Sequence, residues 1–243
     1  MITHIESLVF KKTARICLYL FALVLLVSCG AEEQSYFPLD NNWQYIYSTE
    51  TTMPDSQMHG SYSVTNLGKK RYAGGSAFVR RNNVGTHYYF SQDEVSGDVA
   101  RIAKRTSAEQ RPIADTEPRY VFKHPFSEQP QWLVPARSYL MSRPFSTEYE
   151  LKDTLRFDMN YQVLSTSETV QVPLGRYQNC LHIRGVANFM LGRILTVIQD
   201  PVEIITDEWY AKGIGLIKLQ RKEVVDSKYA NGGQFQMQLS AIK

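Results

Sequence analysis

After residue 36 the hydrophobic positions of this chain recur with a period of two rather than 3.6. The clearest stretch is Thr154–Val163, where Leu155, Phe157, Met159, Tyr161 and Val163 alternate with Thr154, Arg156, Asp158, Asn160 and Gln162. Gln234–Ala241 repeats the pattern, setting Phe235, Met237, Leu239 and Ala241 against Gln234, Gln236, Gln238 and Ser240. Successive side chains of a strand point to opposite faces, so this alternation lays one face on a core and leaves the other in water. Trp43-Tyr45-Tyr47 and Leu181-Ile183 carry weaker versions of it. Turn signals separate the runs at Gly74-Gly75, Asn82-Asn83, Pro173-Leu174-Gly175, Asp200-Pro201 and Asn231-Gly232-Gly233. No stretch of this region has convincing helical amphipathicity. The pattern predicts one antiparallel, mainly β domain over 37–243.

One region interrupts the alternation. Six of the ten prolines lie between Pro112 and Pro144, among them Pro118, Pro125, Pro130 and Pro135. Proline cannot donate to a sheet ladder, so a central strand cannot run through this stretch. Two arrangements fit a proline-rich connection near 105–145. One is a connection carrying short edge strands, and the other is a flap over one end of the sheet.

The pattern is different before residue 30. Lys11, Lys12 and Arg15 precede an unbroken apolar run from Ile16 to Val27. Twelve residues make a helix of roughly 18 Å, short of the ~30 Å hydrocarbon core of a bilayer. A short apolar run behind positive charges reads as a secretory signal helix over 1–28. The run ends in Leu26-Val27-Ser28-Cys29-Gly30, which resembles the lipobox of bacterial lipoproteins. That resemblance implies cleavage between Ser28 and Cys29, with acyl chains on Cys29, whose thiol is the nucleophile such chemistry needs. It also implies a lipidated tether over 29–36 and the membrane as a partner through Cys29. Gly30 is not Asp, so the outer membrane facing the periplasm is the expected address if the host is Gram-negative.

Composition narrows the possibilities further. With 243 residues, 43% hydrophobic and 21% charged, the chain has ordinary globular make-up. Residues 1–28 hold three of the 27 basic residues and one of the 24 acidic ones, so the remainder carries a net charge of +1. No basic run extends past Lys69-Lys70-Arg71, which gives nucleic acid no footprint. Cys17 leaves with the signal and Cys29 carries lipid, so Cys180 alone remains and no intramolecular disulfide is available.

Three further segments carry a resemblance. They are Tyr36-Phe37-Pro38-Leu39 with Trp43-Gln44-Tyr45, then Val172-Pro173-Leu174-Gly175-Arg176-Tyr177-Gln178-Asn179-Cys180, and Trp209-Tyr210-Ala211-Lys212-Gly213-Ile214-Gly215. Together they resemble uncharacterised bacterial lipoproteins with the same opening, hairpin and closing motifs, while residues 50–150 contribute little. The resemblance implies a single antiparallel, strongly curved sheet or a partly closed β-barrel, similar in outline to the periplasmic lipoprotein carriers, which hold acyl chains in a cavity. In physical terms the motifs read as architecture. Pro173 and Gly175 suit a tight reversal with φ > 0 at the glycine, Gly213 and Gly215 suit a bend, and Trp43 and Trp209 are expected to anchor the core.

Signs of catalysis are sparse. His59, His87, His124 and His182 are scattered without ligand spacing, and no metal or other cofactor is expected. By period two, Cys180, His182 and Arg184 share one strand face, an environment that would favour a thiolate, although packing as a small hydrophobe fits Cys180 better. The neighbours in Asp93-Glu94 and Asp207-Glu208 would point to opposite faces, which disfavours a shared carboxylate site. Tyr88-Tyr89-Phe90 and Trp132 could line a cavity or stack on sugars, and core packing fits them better. The expectation is a non-enzymatic lipoprotein, with no catalytic residues and no identifiable ligand-binding residues. It would hold an apolar or amphiphilic ligand, such as a lipid, on its concave face. A structural lipoprotein docking another envelope protein is the alternative, and an envelope hydrolase ranks behind both. The first requires a sizeable lined cavity; the second requires a filled core and an exposed apolar patch.

Overall fold

A computed structural model describes residues 35–141, 155–192, 199–228 and 230–243. The signal helix, Ser28, Cys29 and the tether up to residue 34 lie outside the described residues. Within them the chain forms twelve strands. The first six are β1 (Gln44–Met53), β2 (Ser56–Tyr72), β3 (Gly75–Asn82), β4 (His87–Gln92), β5 (Val99–Arg105) and β6 (Ile113–Phe122). The second six are β7 (Gln131–Arg137), β8 (Arg156–Val172), β9 (Gly175–Gly192), β10 (Gln199–Ala211), β11 (Gly215–Val225) and β12 (Gly233–Ile242).

All twelve belong to one antiparallel sheet, in the order β6-β5-β4-β3-β2-β1-β12-β11-β10-β9-β8-β7. Each strand pairs with its successor in the chain, except β6 with β7, and β1 also pairs with β12. The sheet is thus a circular meander with one seam, nearly closed into a barrel; the alternation predicts its antiparallel β class, and the family resemblance its curvature. Phe37 demonstrates the curvature. Its ring lies 5.3 Å from Phe90 on β4, 6.1 Å from Phe122 on β6 and 6.3 Å from Tyr210 on β10. Strands β4 and β10 are far apart along the sheet order, so one side chain reaches both only across the interior.

The seam falls where the prolines cluster. Pro118 lies in β6 and Pro135 in β7, the two edge strands, where a missing N–H costs no ladder bond. A single 3-10 turn, Phe126–Glu128, joins the strands. The edges meet through side chains instead of a ladder. Trp132 Nε1 donates to Tyr120 O at 3.2 Å, and Arg119 Nη2 donates to Pro135 O. Two-residue reversals join β1 to β2, β2 to β3 and β8 to β9. Ala73 (φ 47°) and Gly74 (φ 84°) turn β2 into β3 with the double left-handed geometry that matches strand twist.

Several local expectations change in the folded chain. Asp200-Pro201 is not a turn; it lies near the start of β10, where Asp200 is buried and accepts from Ser227 Oγ at 2.5 Å. Gly175 opens β9 without a left-handed φ, and it is Asn179 (φ 53°) that adopts one. Trp43 does not anchor the core: it stands 39% exposed before β1, while Trp209 is buried. Tyr36, placed at the end of the tether, packs into the core with Phe37 and Leu39, and its hydroxyl donates to Asn179 O at 3.0 Å.

Candidate functional site

The interior of the barrel is not filled. A cavity of about 530 Å³ lies against the concave face, bordered by side chains from both arms of the meander and from the seam strands. Tyrosines dominate its lining: Tyr47, Tyr62, Tyr88, Tyr120, Tyr161 and Tyr210, with Phe37, Phe90, Val134 and Leu219 between them. Alternation places them there. Tyr47 pairs across the ladder with Tyr62, and Tyr161 with Gly185, so each pair lies on one face. Gly185 is required at its position, because a Cβ there would lie 2.7 Å from the Tyr161 ring. That ring then stacks on Trp132 with centroids 6.0 Å apart, which ties β8 to β7 at the seam.

Burial raises the pKa of Tyr47, Tyr62, Tyr88, Tyr161 and Tyr210 and so favours their neutral phenols. It pushes Tyr62 up to about 12 and holds Tyr161 and Tyr210 well above the ordinary phenol range. The hydroxyls are therefore hydrogen-bonding groups and not charges; Tyr47 Oη donates to Leu216 O at 3.0 Å.

Four charged side chains reach the cavity: Arg80, Arg101, Arg119 and Glu208. Arg101 is matched by Asp115, with Nε–Oδ2 at 2.8 Å and Nη2–Oδ1 at 2.6 Å. Glu208 accepts a hydrogen bond from the Tyr210 hydroxyl, and burial raises its pKa, favouring the neutral acid. Arg80 is 8% exposed. Its Nε donates to Asn66 Oδ1 at 2.7 Å and its Nη2 to Pro38 O at 3.3 Å, and its guanidinium sits 4.2 Å from the centre of the Phe37 ring. No carboxylate pairs with it among the described residues.

A second cluster occupies the opposite face. His182 on β9 is held between Glu168 on β8 (Nδ1–Oε1 2.7 Å) and Asp207 on β10 (Nε2–Oδ1 2.8 Å). Trp209 stacks on the imidazole at 4.5 Å, and its Nε1 donates to Glu168 Oε2 at 2.7 Å. Arg184 completes the group through Nε to Asp207 Oδ1 at 2.7 Å. With a carboxylate on each ring nitrogen, the imidazole has no free lone pair for base or ligand chemistry. Asp207 and Glu208, adjacent in sequence, thus serve opposite faces, as period two requires.

The grouping of Cys180, His182 and Arg184 is not a thiolate site. Cys180 is fully buried among Val170, Val172 and Ile217, and burial pushes its thiol up. Trp132 and Tyr89 pack in the protein, whereas Tyr88 and Phe90 line the cavity. The sequence offers no signal for Arg80. It stands beside Arg81 in Phe78-Val79-Arg80-Arg81, and only the fold buries one and exposes the other.

No family model matches the chain, and no curated protein matches it. Two solved structures are similar to most of its length. One is a candidate lipoprotein of Parabacteroides distasonis at 11% identity, with 87% of this chain and 100% of that chain covered and a TM-score of 0.39. The other is a candidate exported protein with a YmcC-like fold from Bacteroides fragilis at 14% identity, with 86% and 99% covered and a TM-score of 0.38. Likeness at that level carries no argument about what this chain binds or does.

Proposed function

We propose that this protein is a lipid-anchored, non-catalytic component of the bacterial cell envelope that holds an amphiphilic ligand inside its barrel. One observation carries the reading: an unfilled cavity of about 530 Å³, lined by aromatic and aliphatic side chains with a few polar groups among them. Ligand sites commonly occupy about 300–1,000 Å³ and have this mixture of apolar walls and sparse polar groups. A docking lipoprotein would have a filled core instead. The lipobox-like Leu26-Val27-Ser28-Cys29 supports the anchor. The seven steps of chain from Cys29 to Tyr36 reach at most ~25 Å when extended, so the barrel would work close to the membrane surface.

The test is expression of the full-length chain and its Cys29→Ser variant in a Gram-negative host. Wild type should lose residues 1–28, gain acyl mass and fractionate with membranes; the variant should do none of these. Solvent extraction of the purified protein, with mass spectrometry of the extract, should return a co-purified amphiphile in near-stoichiometric amount. Soluble, unacylated wild type would remove the anchor. A clean extract, together with no uptake of added amphiphile, would remove the binding role.

A further inference from the structure

We infer that the ligand is a single-chain amphiphile with an anionic head, a carboxylate or phosphate, and that Arg80 is its counter-charge inside the cavity. This deepens the binding reading and depends on it. A buried guanidinium without a carboxylate is costly, since charges removed from water need a partner of opposite sign. Arg80 has only neutral companions: an amide oxygen of Asn66, the carbonyl of Pro38 and the face of Phe37. Its Nη1 has no hydrogen-bond partner among the described residues, and the side chain borders the open space. The hydroxyls of Tyr47, Tyr62 and Tyr210 lie within its field.

The other charges facing the cavity tip the balance the same way. Arg101 is neutralised by Asp115. Arg119 bonds a backbone carbonyl and adds a second positive charge at the seam. Glu208, the one acid of the lining, is engaged by Tyr210. The cavity therefore carries excess positive charge within apolar walls. That combination favours a ligand whose charge is negative and whose body is hydrocarbon. The guanidinium suits either head, because its planar fork matches two oxygens of a carboxylate or phosphate.

The experiment uses the full-length chain, exchanged into a non-ionic amphipathic polymer, with dansyl-undecanoate as the fluorescent probe. Competitors of matched chain length are palmitate, hexadecyl phosphate, hexadecanol and hexadecyltrimethylammonium, with acetate and inorganic phosphate as chainless anions. Palmitate or hexadecyl phosphate should displace the probe at least ~10-fold more tightly than hexadecanol, a difference equivalent to one charge-assisted hydrogen bond. The tighter of the two identifies the head. Acetate and inorganic phosphate should not compete. Arg80→Gln should weaken the anionic chains at least ~10-fold and leave hexadecanol unchanged, with Arg80→Lys recovering part of the loss. Should Arg80→Gln unfold the protein, Arg119→Gln on the seam provides the same test in milder form. Equal affinity for hexadecanol and palmitate would overturn the anionic head while leaving the cavity's binding role standing. If no chain-bearing compound binds, the binding role itself fails. Competition by acetate or inorganic phosphate alone would assign the site to a small free anion.

Discussion

Arg221 and Glu223, two residues apart on β11, form an ion pair inside the barrel, with Nε and Oε1 separated by 2.8 Å. Period two places both on one face, and both are almost wholly buried. The carboxylate also accepts from Ser138 Oγ at 2.6 Å and from the amides of Tyr139, Leu140 and Met141 at 3.0–3.2 Å. Arg221 Nη2 donates to Arg137 O at 2.9 Å. One strand thereby holds the chain leaving β7, far away in sequence, against the interior.

Replacing that carboxylate by an amide leaves a buried guanidinium without its counter-charge and sets an NH2 donor where only donors surround it. Glu223→Gln should cost about 3–5 kcal/mol, the usual penalty for breaking a buried pair from one side. Urea unfolding at an unchanged m-value measures it. A loss below about 1 kcal/mol would mean that the clasp contributes little to the fold.

The His182 cluster makes stability depend on pH. Burial by itself would lower the His182 pKa, but hydrogen bonds and charge from Asp207 and Glu168 outweigh it and the net shift is upward. A histidine with a raised folded pKa contributes stability that is complete below its unfolded value of about 6.5. That contribution is lost as pH rises through the folded value. Burial alone would raise Asp207, yet the bonds from His182 and Arg184 leave its pKa lowered. Its contribution is present above about 4 and lost as pH falls. Urea midpoints should therefore decline from pH 6 toward pH 9, and His182→Gln should flatten that decline. A decline of equal slope in the variant would place the dependence elsewhere.

Gly185→Ala places a methyl where the Tyr161 ring now lies, at 2.7 Å. The ring must shift, and overpacking of this kind costs about 1–3 kcal/mol. Because Tyr161 stacks on Trp132 across the seam, the near-ultraviolet circular dichroism of the indole should change with it. An unaltered spectrum and unaltered stability would mean that the ring moves freely.

Cys180 should resist alkylation. It is fully buried and its thiol is pushed up, so little thiolate forms near neutral pH. Iodoacetamide labelling mapped to its peptide should require denaturant. Rapid labelling of the native protein would show an opening of the β8–β9 hairpin.

The strands were legible because their signal is local. Met159, Tyr161 and Val163 on β8, and Met237 and Leu239 on β12, are the buried or cavity-facing residues that alternation marks. The proline cluster likewise marked where pairing stops, since a residue without an N–H advertises its own exclusion from a ladder. The local rules failed at Asp200-Pro201, Gly175, Trp43 and Tyr36. Asp200-Pro201 entered a strand because Ser227 and the ends of β9 and β11 satisfy it there. Trp43 stands exposed just before β1, in edge contact with the Tyr45 ring at 6.3 Å.

By itself the sequence determined the antiparallel class, the turns at Gly74-Gly75, Asn82-Asn83, Pro173-Leu174-Gly175 and Asn231-Gly232-Gly233, the place of the unpaired edges, and the opposite directions of Asp207 and Glu208. Each follows from residues within a few positions of one another. Only the tertiary structure decided the barrel's closure through β1 and β12, the cavity, and the selection of Arg80 over Arg81 as the buried charge. It also decided the joining of Glu168, His182 and Asp207 across three strands. The physical reason is distance along the chain. Curvature brings β4 and β10 to the same Phe37 ring, and a pattern of period two specifies which side a residue faces but not what meets it there.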